Sequence, residues 1–121
     1  MRVLVVDDSN FTRNLFLKTL SELGVSELDE AANGIEAICK LDANNYALVT
    51  VDLIMPSSNG IDVIKHIKQT APATKIVVCS SVSERGTVME IVKLGVDEFI
   101  LKPFSGEKVK SVLRAKLEEC R

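Results

Sequence analysis

The stretch Arg2-Val3-Leu4-Val5-Val6-Asp7-Asp8-Ser9 decides how the rest of the chain is read. Four consecutive apolar residues, three of them valine, fit a short strand covered on both faces, because a strand with one wet face would alternate. The run stops at two aspartates, and Ser9 follows in the position of a helix N-cap. Beyond it, Phe16, Leu20 and Leu23 recur at helical spacing. The unit is a strand, an acidic loop and a helix.

Working outward, the same unit recurs. Further apolar runs lie at Ala47 to Val51, Ile76 to Cys79 and Phe99 to Leu101, with a weaker one around Leu28 to Ala31. Between and after them come helical stripes: Ile35, Ile38 and Leu41; Ile61, Ile64 and Ile67; Val88, Ile91 and Val92; Val109, Val112, Leu113 and Leu117. Asn33 and Ser105 are expected to cap helices, and Gly24 and Gly95 stand where left-handed C-terminal residues are favoured. Strand then helix, five times over, predicts an α/β fold: a doubly wound parallel sheet of five strands with five helices. Ser26-Glu27-Leu28-Asp29-Glu30 is too polar for an interior position, so the second strand belongs at an edge. With no internal repeat, low-complexity tract or linker, residues 1–121 are expected to form one domain.

Composition narrows the function. Fifteen Lys and Arg against 17 Asp and Glu give a net charge of −2, without the basic field that nucleic-acid binding requires. Cys39, Cys79 and Cys120 are odd in number, widely spaced and without a C-x-x-C, so neither a disulfide framework nor a zinc site is expected. The apolar run after Met1 is too short for a signal peptide, and no segment is long enough to span a membrane. A cytoplasmic location is the expectation.

In an open parallel sheet, ligands bind beyond the carboxyl ends of the strands. Here those ends carry Asp7-Asp8, Asp52, Ser80-Ser81 and Lys102-Pro103. Three carboxylates together are costly without a cation, and Mg2+ prefers oxygen ligands. Lys102 adds a mobile positive charge and Ser80 a hydroxyl donor, both suited to phosphoryl oxygens. Asp52 can then act as nucleophile and hold an aspartyl phosphate, with positioning and charge supplying the catalysis. His66, the one histidine, falls inside the third helix, away from this rim. No G-x-x-x-x-G-K-[ST] loop is present, so a nucleotide is not the expected donor.

Asp7-Asp8-Ser9, Asp52-Leu53-Ile54-Met55-Pro56, Ser80-Ser81 and Lys102-Pro103-Phe104 together resemble the signature of the response-regulator receiver family, over essentially the whole chain. The resemblance implies a flavodoxin-like, CheY-like sheet of order 2-1-3-4-5. It also implies that Asp52 is the phosphoacceptor, that Asp8, Asp52 and the Ile54 carbonyl ligate Mg2+ directly, and that Asp7 helps through water. Ser80, with Ser81 beside it, would bond the phosphoryl group, Phe99 would turn inward as the switch is thrown, and the Lys102–Pro103 bond would be cis. The donor would be a sensor histidine kinase, a phosphotransfer protein or a small phosphodonor. Output would pass to a protein partner through the face of helix four, strand five and helix five, and a phosphatase is a further partner class.

A stand-alone chemotaxis-type regulator, monomeric or dimerising on phosphorylation, is the leading expectation. A receiver cut from a longer regulator with an effector domain is the alternative. Rival functions fare worse. A haloacid-dehalogenase-like phosphatase needs a second aspartate where Ile54 stands. A phosphorylation-independent binding module would lack an acceptor, acidic pair or lysine, and all are present. A flavodoxin-like carrier needs phosphate donors where Asp7-Asp8-Ser9 is acidic. Ile54 and Val82, which in the resembled family flank the path of attacking water, predict slow self-dephosphorylation. The loop Met55-Pro56-Ser57-Ser58-Asn59-Gly60 departs from the resembled family at Ser58, where many members carry an apolar or acidic residue.

Overall fold

Each of the five runs forms a strand of one sheet, and the most apolar of them, Val3 to Val6, is at most 1% exposed because it is covered on both faces. The computed structural model describes residues 1–55, 58–82 and 85–121. In chain order the elements are β1 (Arg2–Val6), α1 (Asn10–Glu22), β2 (Glu27–Ala31), α2 (Gly34–Ala43), β3 (Leu48–Val51), β4 (Ile54–Met55) and β5 (Ser58–Asn59). After them come α3 (Gly60–Thr70), β6 (Lys75–Ser80), α4 (Arg85–Lys93), β7 (Glu98–Leu101) and α5 (Gly106–Cys120).

The main sheet has the order β2-β1-β3-β6-β7, all parallel. Counting those five strands alone, this is 2-1-3-4-5. The polar β2 lies at an edge. β4 and β5 form a separate antiparallel pair, Ile54 opposite Asn59 and Met55 opposite Ser58, which the sequence reading did not contain.

Helices cover both faces. Phe16 and Leu20 of α1 and Val109, Leu113 and Leu117 of α5 pack with Val3 and Val5 on one side. Ala37 of α2, Val63, Ile64 and Ile67 of α3 and Ile91 of α4 pack with Leu4 and Val6 on the other. Alternate residues of β1 therefore feed opposite cores, the period-two geometry of a strand. Helices of this length are marginal alone in water, and burying each large apolar side chain supplies about 1.5–3 kcal/mol towards holding them.

The caps form as expected. Ser9 accepts from Thr12 N–H at 3.3 Å, Asn33 from Glu36 N–H at 2.9 Å and Ser105 from Lys108 N–H at 3.1 Å. Gly24 and Gly95 have φ of 93° and 86°. Two members of the expected stripes face solvent, Ile35 at 69% and Val92 at 55% exposure, and Ile38 and Val88 are only half-buried. Ile35 sits in the first turn of α2, where Ala37 takes the inward position. Val92 neighbours Ile91, which alone of α4 is fully buried.

Because α1 leaves β1 for one face and α3 follows β3 on the other, the crevice between the ends of β1 and β3 is the switch point where an open α/β sheet binds ligands.

Candidate functional site

The first residue after each central strand stays in the ladder. Asp7 N–H donates to Ala31 O at 3.1 Å, and Asp52 N–H donates to Val6 O at 3.0 Å. This pins two aspartate backbones side by side over the crevice. Both side chains are buried, at 3% and 6% exposure, whereas Asp8 is exposed. One carboxylate oxygen from each of Asp7, Asp8 and Asp52 lies within 4.8 Å of the others, the one such cluster among the described residues.

Local backbone donors orient the carboxylates. Ser9 N–H donates to Asp7 Oδ1 at 2.9 Å, and Ile54 N–H donates to Asp52 Oδ1 at 3.3 Å. Their other oxygens face Lys102, whose Nζ is 3.4 Å from Asp7 Oδ2 and 3.3 Å from Asp52 Oδ2. Lys102 follows β7, its N–H donating to Ser80 O at 2.9 Å, and the Lys102–Pro103 peptide bond is cis.

Burial pushes the Asp7 carboxyl above its usual range, although the Ser9 N–H and the Lys102 charge pull it down in part. Burial alone would lower the Lys102 ammonium, but the charges of Asp52 and Asp7 outweigh it and hold the pKa up. Three carboxylates against one ammonium leave a formal charge of −2 in a half-enclosed all-oxygen cluster. That donor set fits a hard divalent cation such as Mg2+.

Ser80, at the end of β6, is fully buried and accepts a 3.3 Å bond from Val82 N–H, which leaves its hydroxyl proton for another acceptor. Ser81 is exposed and lines, with Phe11, Thr12, Lys102, Pro103 and Phe104, a shallow depression of about 400 Å³ beside the carboxylates. Phe99 is partly buried against the core under α2, α3 and α4 and is not part of the carboxylate cluster. The Ile54 side chain is 61% exposed at the rim, and Val82 is half-buried. Of the loop that departs from the family at Ser58, Pro56, Ser57 and the packing of Ser58 lie outside the described residues.

Neither His66 nor Cys79, to which the sequence assigns no role at the rim, belongs to the carboxylate cluster. His66 pairs with Asp42 at 2.8 Å between α3 and α2. Cys79 is buried beside the cluster with its thiol pushed up to about 12, which keeps it protonated and inert.

Two residues that shape the site were not picked out from the sequence. A Cβ on Gly60 would lie 2.3 Å from Asp52 O and 2.7 Å from Leu53 Cα, so the start of α3 closes directly onto the backbone of Asp52. The signal was present as a glycine next to a capping asparagine, Asn59, whose side chain accepts from Ile61 N–H at 2.8 Å. Arg13 donates from Nη1 to the carbonyl of Asp7 at 2.8 Å. It lies three residues into α1, where an arginine reads as ordinary surface.

Comparison with known proteins agrees with this geometry. The family model described as response regulator receiver domain matches residues 3–114. The chemotaxis protein CheY of Thermotoga maritima is 40% identical over 112 residues, covering 93% of each chain. CheY1 of Helicobacter pylori is 39% identical over 121 residues, 98% of this chain and 94% of the relative. Among solved structures, a CheY-like receiver protein from Methanospirillum hungatei superposes with a TM-score of 0.90 at 22% identity, over 98% and 94% of the two chains. The CheX-CheY-BeF3-Mg2+ complex from Borrelia burgdorferi gives a TM-score of 0.88 at 28% identity, over 97% and 89%. A doubly wound sheet whose crevice gathers three aspartates and a lysine, in a chain so similar to chemotaxis regulators, belongs to the response regulator receiver family of two-component signalling.

Proposed function

We propose that Asp52 is the phosphoacceptor of a Mg2+-dependent switch that works without an external substrate. The observation that carries this reading is the shared reach of Lys102, 3.3 Å from Asp52 and 3.4 Å from Asp7, over a cluster of three carboxylates. A carboxylate oxygen of Asp52 would form the new P–O bond as the P–N bond of a donor phosphohistidine breaks, the electron pair remaining on the imidazole. Small phosphodonors would serve through their own leaving groups.

Asp8, Asp52 and the Ile54 carbonyl would hold the cation, with Asp7 acting through water. The cation would supply charge neutralisation at the phosphoryl oxygens. Lys102 would exchange its bond to Asp52 for one to the phosphoryl group, and the Ser80 hydroxyl would donate to another of its oxygens. No general base stands two residues after Asp52, where Ile54 is found, which supports a switch over an enzyme with turnover.

Output would leave through α4, β7 and α5, where Met89, Val92 and Leu101 are 48%, 55% and 49% exposed. Phosphorylation would shift the population towards a form with Phe99 turned inward, and a protein partner would bind that form. The same face would serve a phosphorylation-dependent dimer. A sensor histidine kinase or phosphotransfer protein would act as donor and a phosphatase as a further partner, and the CheX-CheY complex of a similar chain supports binding to a second protein. No helix among the described residues is long and apolar enough to cross a membrane, in keeping with a cytoplasmic messenger.

Beryllium fluoride tests the site. With Mg2+ it should shift the amide resonances of Asp52, Ser80 and Lys102 in the parent and leave Asp52→Asn unchanged. Equal shifts in both proteins would overturn the assignment.

A further inference from the structure

We infer that Arg13 is a positioning residue for the cation site, fixing the direction in which Asp8 presents its carboxylate; this rests on reading Asp7, Asp8 and Asp52 as that site. The Arg13 side chain is only 12% exposed and its guanidinium is engaged on three sides. Nη1 donates to Asp7 O at 2.8 Å, Nε pairs with Glu30 Oε1 at 2.8 Å, and Nη2 donates to Asn10 Oδ1. Asp7 O belongs to the planar peptide unit that joins Asp7 to Asp8. Anchoring that oxygen, while Asp7 N–H is held by Ala31 O, fixes φ and ψ of Asp7 and so the peptide plane from which Asp8 projects.

Asp8 needs such an anchor more than its neighbours. The carboxylates of Asp7 and Asp52 are buried and held by Ser9 N–H, Ile54 N–H and Lys102. Asp8 is exposed, and its orientation must come from its backbone.

Glu30 completes the device. A guanidinium bonded to the Asp7 carbonyl and free to swing would otherwise compete with a cation for the neighbouring carboxylates. Glu30 draws its charge to the end of β2, where Lys40 holds the Glu30 carbonyl from α2. Arg13 thus spans α1, the β1–α1 loop and β2 without touching a carboxylate of the cluster.

The sign of the effect separates this role from the alternatives. Deleting a positive charge beside a cation site tightens binding if Arg13 acts only through space. Losing an anchor weakens it, and outer-shell partners of metal ligands are typically worth 10–100-fold in affinity. The experiment is titration with Mn2+ as the probe, read by electron paramagnetic resonance, on the parent, Arg13→Gln and Arg13→Lys, each checked by thermal melting in EDTA and titrated well below its melting point. The expected result is binding about 10-fold weaker in Arg13→Gln, with Arg13→Lys between it and the parent. Equal or tighter binding in Arg13→Gln would overturn the inference even if its melting point falls, since the residue would then be structural only. If the parent itself binds no Mn2+, the cation-site reading fails and the inference with it.

Discussion

Replacing Gly60 by alanine should destabilise the protein and displace the acceptor. The added Cβ would lie 2.3 Å from Asp52 O, more than an ångström inside ordinary contact of about 3.5 Å, and 2.7 Å from Leu53 Cα. Both obstacles are backbone, and neither can swing aside. Asp52 N–H is bonded to Val6 O at 3.0 Å, and Gly60 N–H to Leu53 O at 3.0 Å. Relief therefore requires α3 to back away, at an overpacking cost of about 1–3 kcal/mol and with the Gly60 bond, worth about 1 kcal/mol, weakened. Alanine narrows the unfolded ensemble and returns up to about 1 kcal/mol. The net loss is about 2.5 kcal/mol. At about 2.1 cal/mol/K per residue, a chain of 121 residues has an unfolding entropy near 0.25 kcal/mol/K, so Tm should fall by about 10 °C. Gly106→Ala is the control, because nothing lies within 4 Å of its Cβ position in the first turn of α5, and its Tm should rise by about 2–4 °C. Circular dichroism melting of both variants decides the matter. A Gly60→Ala protein melting within about 2 °C of the parent would refute the close-approach argument.

The exposed Ile54 predicts a phosphorylated form that persists for minutes or longer with Mg2+ present, and Ile54→Asn should shorten that lifetime severalfold by offering attacking water a polar partner. Decay of the parent within seconds, followed by phosphate-affinity electrophoresis, would contradict this. At the sheet edge, Tyr46 donates to Asp29 Oδ2 at 2.7 Å, and this bond, more than the adjoining Arg2, holds the Asp29 carboxyl below its usual range. A depressed carboxyl stabilises the fold above its unfolded pKa, about 3.9, and that contribution is lost as pH falls through the lower folded value. Tyr46→Phe should therefore melt about 4 °C below the parent at pH 7, with the gap closing as pH falls below the unfolded value of about 3.9. An unchanged gap at low pH would point to packing as the cause.

How much of this was legible depended on whether a signal was local. Val3 to Val6 and Ile76 to Cys79 announce buried strands because every side chain is apolar, and Ser9, Asn33 and Ser105 announce helix starts through their own hydroxyl or amide. The β4–β5 pair was not legible, since two residues carry no period. Ile35 and Val92 match a helical stripe yet point outward, because spacing marks a face without saying where that face ends. At the site, the strand-end rule gathers Asp7, Asp8, Asp52 and Lys102, but the strand order that makes β1 and β3 neighbours came from family resemblance. Ser81 and Phe99 were given roles through family resemblance alone; Ser81 is exposed, and Phe99 packs against the core under α2, α3 and α4. Gly60 and Arg13 act on backbone carbonyls, Asp52 O and Asp7 O, and contacts to backbone leave no complementary residue type to read.

Phosphoryl transfer to Asp52 is tested most directly by intact-protein mass spectrometry after incubation with acetyl phosphate. The parent should gain one phosphoryl group in the presence of Mg2+, and neither the parent in EDTA nor Asp52→Asn with Mg2+ should gain any. Equal phosphate gain in the parent and Asp52→Asn, or none in the parent, would contradict the account.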